Sequence, residues 1–515
     1  MSAQTETLPP PHGGELALMT LALSLGTFMQ VLDTSIANVS IPAIAGDLAS
    51  SPNQGAWVIT SFAVSNAIML PLTGWLARRV GEVKLFVSAT ALFTIASWLC
   101  GLATNLPMLI AFRVLQGAVA GPMIPLSQSL LLANYPDHKK GMALALWSMT
   151  VVVAPIFGPI MGGWITDNIS WPWIFYINIP VGIFSVYTTW QILRRRETPT
   201  IKQPVDAVGL VLLAIGVGSL QILLDKGNEL SWFGSSTIIT LAVISVMALS
   251  FFIVWELTEE HPAVDLHLFL NRNFTVGAIA LSLGYLTFFG NVVIFPLWLQ
   301  TELNYTATWA GLAAAPIGLL SVVLSPFVGR MLHRADLRLM STFSFMIFAG
   351  VSFWTSHFNT QVSYFDLFMP RFIQGIGVAF FFIPLASMGL SGLRPDQLAS
   401  AAGLSNFLRI LAGSFGTSLS ITIWERRSAL HYSQLSEHIS VYNALSDQTL
   451  GYLKPLGIAA SNALALVNTQ IVQQAVMIAT DDIFWLSGVI FLLLIAVVWF
   501  ARPPFTPAGK SSGAH

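Results

Sequence analysis

Charged residues are scarce in this chain of 515 residues. Asp, Glu, Lys and Arg make up 9% of it, whereas hydrophobic residues make up 55%. Soluble domains carry about 25% charged residues, so a chain this poor in charge cannot cover a surface that faces water. The composition therefore predicts an integral membrane protein. With a net charge of −1 and no basic patch, nucleic acid is not an expected partner.

Cysteine is nearly absent as well. Cys100 is the one cysteine, which excludes an internal disulfide, a thiol redox pair and a cysteine-rich metal site. The sequence also lacks a Walker loop for ATP and a His-Glu-x-x-His metal motif, and its nine His are scattered. We therefore expect no catalytic residues, no metal site and no cofactor.

Apolar segments long enough to cross a bilayer, which takes about 20 residues, are abundant. Fourteen are found, at residues 16–42, 54–77, 84–104, 107–133, 142–166, 173–193, 206–225, 236–257, 274–300, 307–331, 338–357, 365–391, 398–424 and 482–501. The first segment is too long for the core of a cleaved signal peptide and predicts a retained helix. We expect an all-α integral membrane fold with fourteen transmembrane helices.

Basic residues in the loops predict the orientation of the chain in the membrane. With both termini in the cytoplasm, the outer side carries few of the loop Lys and Arg residues, namely Lys226, Arg426, Arg427 and Lys454. The tails at residues 1–15 and 502–515 are then cytoplasmic. We expect a multi-pass membrane protein with both termini in the cytoplasm.

Two motifs occur twice in the chain. Arg113–Gly117 (Arg-Val-Leu-Gln-Gly) matches Arg371–Gly375 (Arg-Phe-Ile-Gln-Gly), and Pro71–Gly74 matches Pro326–Gly329. Both pairs are offset by eight helices, and internal repeats are typical of secondary transporters. The repeat therefore predicts a six-helix bundle at residues 16–193, a linker with two additional helices at 194–273, and a second six-helix bundle at 274–501.

The segment at residues 425–481 is predicted to be a long outer loop between the last two helices. It is polar, but apolar residues recur in it at near-helical spacing (Leu453, Leu456, Ile458, Leu464, Leu466, Val467). Part of it is therefore interpreted as an amphipathic helix, with a solvated loop as the alternative.

Four motifs carry a resemblance to a known family. They are Leu32–Val39 in the first helix, the Arg113 motif in the fourth, Ala154–Gly163 in the fifth, and Trp171–Pro180 at the start of the sixth. On these motifs the chain resembles, along essentially its whole length, the fourteen-helix drug:proton antiporters of the major facilitator superfamily (EmrB/QacA type). The fifth-helix motif is the most specific of the four.

The resemblance implies a proton-driven multidrug efflux antiporter that exports hydrophobic toxic compounds by alternating access. It also implies a tripartite pump, with a periplasmic adaptor of the EmrA type and an outer-membrane channel of the TolC type. A proton-coupled uptake symporter of the same fold is the alternative, and the fifth-helix motif argues against it. A non-transporting receptor or scaffold is a third hypothesis.

Asp33 is the leading candidate for proton coupling. It lies midway along the first helix, where an ionised carboxylate is costly. Burial favours its neutral form and a nearby cation its charged form, so Asp33 could bind a proton in one conformation and release it in another. A hydrogen-bonded structural Asp is the alternative. Arg113 is expected either beside Asp33 or bound to backbone carbonyls at a helix break.

Other charged and aromatic residues are weaker candidates. Asp206, at the inner end of the first additional helix, is interpreted as a solvated end charge or as part of the proton route. No role is predicted for Arg371 or Arg409. A promiscuous cavity needs adaptable apolar walls, and the proposed substrate-binding residues are Trp57, Phe62, Trp147, Phe288, Asn291 and Trp298.

Two glycine-containing segments are predicted to act in conformational change. In the fifth helix, Gly158, Pro159, Gly162 and Gly163 form a small-residue face; the resemblance implies a gate, and tight packing is the alternative. In the loop after the second helix, the residues of a predicted cytoplasmic latch are Gly74, Arg78, Arg79, Gly81 and Glu82. The family pattern there is Gly-x-Leu-Ala-Asp-Arg-x-Gly-Arg, so a charge pair is predicted to persist with reversed polarity.

Overall fold

The structure is a computed structural model that describes residue 11 and residues 13–505, apart from residues 51, 56, 137–138, 202–203, 205, 333 and 438–459. Within this part of the chain the secondary structure is helical, and no strand occurs.

Nineteen α-helices are described, and each of the fourteen predicted spans overlaps a helix or a pair of helices. In chain order they are α1 (Gly14–Asp47), α2 (Pro52–Gly55), α3 (Trp57–Met69), α4 (Thr73–Val80), α5 (Glu82–Gly101), α6 (Leu106–Ala120), α7 (Met123–Asn134), α8 (Lys140–Asn168), α9 (Trp173–Tyr176), α10 (Asn178–Leu193), α11 (Ala207–Lys226), α12 (Ser236–Thr258), α13 (Arg272–Thr301), α14 (Ala307–Ala314), α15 (Pro316–Met331), α16 (Leu337–Thr355), α17 (Tyr364–Gly389), α18 (Leu398–Ser436) and α19 (Ala460–Val498).

By length and composition, eleven helical segments of the described chain can each cross a membrane, and a twelfth candidate is the bent pair α3 and α4, which meet at 62°. Proline marks the breaks inside the predicted spans: Pro71 between α3 and α4, Pro122 between α6 and α7, and Pro316 at the start of α15. Proline lacks the N–H that would continue the helical hydrogen bonds, so the first helix ends there. A second helix then completes the span.

The helices pack as two groups, α1–α10 and α13–α19, with α11 against both of them. α11 contacts α3 in the first group and α18 in the second, whereas α12 packs mainly on α11. The outer face of α12 is apolar and exposed, as at Val246, Phe251 and Val254. An apolar exposed face is what a helix in contact with lipid requires. The two additional helices therefore lie at the edge of the protein, with α11 bridging the two groups.

The predicted outer loop at residues 425–481 is much shorter in the structure. α18 stays helical to Ser436, and the described part of α19 begins at Ala460. The physical reason is a set of polar contacts between the extensions: Arg427 Nε donates to Asp482 Oδ2 at 2.7 Å, and His431 Nε2 lies 2.8 Å from the same oxygen. The amphipathic segment is in part the start of α19, with Leu464 and Leu466 in it; Leu453, Leu456 and Ile458 lie outside the described residues.

The two groups are in close contact at the end predicted to face the cytoplasm. A Cβ on Gly74 would overlap Ser400 of α18, and a Cβ on Gly141 would overlap the backbone of Gly329 in α15. Gly74 and Gly329 occupy the same position in the repeated Pro-x-x-Gly motif, so each copy of the motif packs against the other half. In the described residues, this end is therefore closed by two equivalent glycine contacts.

We predict that Gly141→Val forces the halves apart at this end. Spin labels on cysteines introduced at the exposed positions Arg195 and Arg394 measure the separation by double electron–electron resonance, and the native Cys100 is buried. Their distance should increase in Gly141→Val. Gly350→Val is the matched control, because a Cβ at Gly350 meets nothing within 4 Å, and it should leave the distance unchanged. Equal distances in all three proteins would contradict the glycine closure.

Candidate functional site

An ion pair is buried in the first group of helices. Asp33 of α1 and Arg113 of α6 contact each other through Asp33 Oδ2 and Arg113 Nη1, and both side chains have 0% exposure. Two ions removed from water are costly unless their charges and hydrogen-bonding groups are satisfied. The neighbours of this pair therefore decide how it is held.

Polar groups from three further positions bond to the pair, and Arg113 Nη2 is left without a hydrogen-bond partner among the described residues. Gln116 Nε2 and Asn178 Nδ2 donate to Asp33 Oδ1 at 3.2 and 3.0 Å. Arg113 donates through Nε to the carbonyl of Val58 at 3.0 Å and through Nη1 to Gln116 Oε1 at 2.7 Å. The Asp33 carboxyl group thus joins α1 to α6 and α10 through these hydrogen bonds.

Sequence reasoning placed Asp33 and Arg113 together as one alternative, and the structure brings them into contact. It missed Asn178, although Asn178 stands in the Trp171–Pro180 motif that carried the family resemblance. The feature that could have identified Asn178 is a polar residue in an apolar run, at the start of a helix. Gln116, a member of the repeated Arg113–Gly117 motif, contacts both charges of the pair.

The second group contains a counterpart of this network that lacks the acid. Arg371 Nη1 donates to Gln374 Oε1 at 2.7 Å, which repeats the contact between Arg113 and Gln116. Asn291 stands in α13, the repeat counterpart of α1, and accepts a hydrogen bond from Ser487 at 3.0 Å. Among the described residues no carboxylate forms an ion pair with Arg371, whose guanidinium lies 3.7 Å from the ring centre of Phe295. The charged pair is thus confined to one half.

A cavity of about 580 Å³ lies between the two groups. Its floor is formed by Gln30, Asn66 and Arg409, and it extends to Asn228 and Glu229 at the predicted outer end of α11. A volume in the range of about 300–1,000 Å³ with mainly apolar walls is typical of small-molecule sites. With the opposite end closed by glycine contacts, the cavity opens towards the end that is predicted to face outside.

The cavity wall includes Arg113 and Phe62, whose ring centre lies 4.2 Å from the Arg113 guanidinium. Of the six residues proposed for substrate binding, Phe62 is in this wall, and the other five are not: Trp57, Trp147, Phe288, Asn291 and Trp298. Tyr285 and Phe289 form the wall on α13 instead. The face of a helix that borders a cavity depends on its rotation within the bundle, which hydropathy does not reveal.

The small-residue face of α8 packs on α1, next to Asp33. A Cβ on Gly158 would overlap Ser35, and a Cβ on Gly162 would lie 2.8 Å from the carbonyl oxygen of Ile36. Pro159 and Gly163 lie in the same stretch of α8. α8 also contacts α14 and α15 of the second group. This face therefore joins the Asp33 helix to a helix that borders both halves.

The predicted latch residues lie at the closed end. Arg78 Nη1 donates to Ser400 Oγ across the halves at 3.0 Å, and Glu82 accepts a hydrogen bond from Ser129 Oγ at 2.9 Å. The expected charge pair of reversed polarity is therefore wrong, because Arg78 and Glu82 have separate partners on opposite sides of the loop.

The rest of the latch loop is held by the linker that follows α10. Gly81 has a φ of 98°, and the Glu197 carboxylate accepts the N–H groups of Val83 and Lys84 at 3.0 and 2.9 Å. These contacts cap the start of α5. Arg79 lies over the ring of Trp75 at 5.3 Å.

Asp206 is buried and not a solvated end charge. Its Oδ1 accepts hydrogen bonds from Gly209 N at 2.8 Å and from Trp255 Nε1 at 2.9 Å, so it caps α11 and ties it to α12. Asp206 Oδ2 and Glu256 Oε1 have no hydrogen-bond partner among the described residues. A Cβ on Gly209 would overlap both oxygens, so they border the same space beside α11.

Comparison with known proteins agrees with this architecture. A duplicated all-α membrane protein with a cavity between its halves has the organisation of a secondary transporter. Residues 23–417 match the model of the Major Facilitator Superfamily, and the chain belongs to that family.

Relatives with assigned names are similar over nearly the whole chain. The chain is 54% identical to the multidrug export protein EmrB of Escherichia coli (strain K12) and 53% identical to the fatty acid resistance protein FarB of Neisseria gonorrhoeae, with 98% of this chain and 99% of each relative covered. The crystal structure of the human organic anion transporter MFSD10 shares the fold, with a TM-score of 0.58 at 12% identity over 95% of this chain and all of that one.

We predict that Asp33→Asn destabilises the protein by about 3–5 kcal/mol, because it leaves the buried Arg113 without its counter-charge. The double variant Asp33→Asn/Arg113→Gln should lose less stability than the sum of the two single variants. Thermal unfolding of purified protein measures this double-mutant cycle. Additive losses would contradict a direct interaction between the two side chains.

Proposed function

We propose that this chain is a proton-driven multidrug exporter of the inner membrane of a Gram-negative bacterium. The observation that carries the proposal is the buried Asp33–Arg113 pair at the wall of an outward-facing cavity. The names of the relatives support the direction and the cargo, since EmrB is named for multidrug export and FarB for fatty acid resistance.

The proton acts on the ion pair. A proton that enters the cavity from outside neutralises Asp33, and Arg113 loses its counter-charge. The bonds that Gln116 and Asn178 make to the carboxylate weaken at the same time, because their acceptor is no longer charged. α1 is then free to shift against α6 and α10.

Movement of α1 reaches the second half through α8. Gly158 and Gly162 allow α8 to pack closely against α1 beside Asp33, and α8 contacts α14 and α15. A shift of α1 is thus transmitted to the contact between the halves, where the latch residue Arg78 and Gly141 hold the inner side closed. Opening this side exposes Asp33 to the cytoplasm and completes an alternating-access cycle.

On the inner side, the pair of facing carboxyl groups of Asp206 and Glu256 is a second place where a proton can be held, since one oxygen of each has no partner among the described residues. Export requires that drug and proton binding oppose each other, a negative coupling between the two sites. Both termini lie in the cytoplasm in this arrangement.

The exporter is proposed to work in a tripartite pump, with an EmrA-type adaptor and a TolC-type channel. The support for a docking surface is the length of α18 and α19. Each has 39 residues, roughly 58 Å at 1.5 Å per residue, against a hydrocarbon core of about 30 Å. Their extensions therefore project on the outer side, where an adaptor would bind.

We predict that drug addition to the purified protein in weakly buffered solution releases protons, and that Asp33→Asn abolishes the release because no group at the pair then titrates. A pH-sensitive dye measures it. The control is Asp396→Asn, an exposed acid on the inner loop, which should release as the unaltered protein does. Persistent release in Asp33→Asn would remove Asp33 from coupling, and increased drug accumulation in cells that express the protein would indicate uptake.

We predict that charges on the exposed face of the α19 extension disrupt the adaptor complex. Leu464 and Leu466 are each about half exposed, and Leu464→Arg/Leu466→Arg should lower copurification of a co-expressed EmrA-type adaptor severalfold. Leu339→Arg, on a similarly exposed residue of α16 near the inner end, is the control. Full adaptor recovery with both variants would place docking elsewhere.

A further inference from the structure

The cavity floor carries a second buried cation. Arg409 of α18 lines the cavity and is 3% exposed. Its Nη2 donates to Asn406 Oδ1 at 2.9 Å, and its guanidinium lies 4.8 Å from the ring centre of Tyr285. Its Nε has no hydrogen-bond partner among the described residues. The guanidinium is thus held in place by neutral groups and keeps unused donor capacity.

No carboxylate balances this charge. The ion pairs of the described residues do not include Arg409. The other cation in the cavity wall, Arg113, is neutralised by Asp33. The floor of the cavity therefore has a net positive charge, carried by a side chain that is 3% exposed. A buried, uncompensated cation is costly, and an anionic ligand would remove that cost.

The shape and walls of the cavity define the rest of the ligand. Above the floor the wall is largely apolar, with Phe62, Leu224 and Phe289 among its residues. The acidic groups lie towards the outer opening, where Asp225 accepts a hydrogen bond from Gln221, and Glu229 pairs with Lys226. A ligand with its anionic group at the floor and its apolar body above it matches this distribution.

We propose that Arg409 is the anchor for the anionic group of the substrate, and that the cavity selects hydrophobic monoanions over neutral or cationic compounds of the same size. This rests on the proposed function and adds the charge class of its cargo. Guanidinium groups bind carboxylates through two parallel hydrogen bonds, and the unpartnered Nε together with a terminal nitrogen is the edge used for such a pair.

The test compares three ligands with the same alkyl chain: decanoate, decan-1-ol and decyltrimethylammonium. Equilibrium binding is measured on the full chain in lipid nanodiscs at pH 7.5, with empty nanodiscs to subtract partition into lipid. The unaltered protein should bind decanoate most tightly. Arg409→Gln should weaken decanoate binding by about tenfold or more and change decan-1-ol binding by less than about twofold. Arg409→Lys should retain most of the preference for decanoate.

Arg371→Gln is the matched control, because it makes the same substitution at a buried arginine that the cavity does not contact; it should leave the preference for decanoate unchanged. Equal weakening of decanoate and decan-1-ol in Arg409→Gln would assign Arg409 a structural role and overturn the proposal, as would tightest binding of decyltrimethylammonium. The measurement needs no proton gradient. Selective binding of decanoate without drug-induced proton release would therefore overturn proton coupling while supporting the role of Arg409.

Discussion

A carboxylate and a guanidinium held together away from water are the constraint on which this structure depends. The two ions balance each other's charge at a depth where an unpaired charge is costly. The pair is kept by partners from three helices, α3, α6 and α10: Val58, Gln116 and Asn178 bond to it, and Phe62 covers it. Any change in the charge of Asp33 therefore alters several helix contacts at once, which is how a proton can move a bundle of this size.

Duplication of the helices explains the architecture, and a difference between the two copies explains why the buried ion pair occurs in one half. The two copies of the glycine motif make equivalent contacts across the halves, and the Arg–Gln contact is preserved in both. The acid is not preserved in both. Asn291 and Ser487 form a hydrogen bond between uncharged side chains where the first half has Asp33 and Asn178. One half can respond to a proton at this site, and the other provides the surface against which it moves.

The membrane class, the duplicated helices and the buried position of Asp33 could be predicted from the sequence. Each is visible in the order of residues alone, as hydropathy, a repeated motif and a charge in an apolar run. The sequence was not sufficient for the cavity. Tyr285 and Phe289 line it while Phe288 packs in the core, a distinction set by helix rotation. The helical extensions of α18 and α19 could not be predicted, because their polar composition is also typical of a loop. The contacts of Asp482 that stabilise them join residues far apart in sequence.

The seal on the inner side has a chemical property that bears on the transport cycle. It consists, in the described part of the chain, of glycine backbones and of a bond from Arg78 to a serine hydroxyl, and none of these groups gains or loses a proton near neutrality. In the proposed cycle, protonation therefore reaches this seal through the movement of helices and not through the seal contacts themselves.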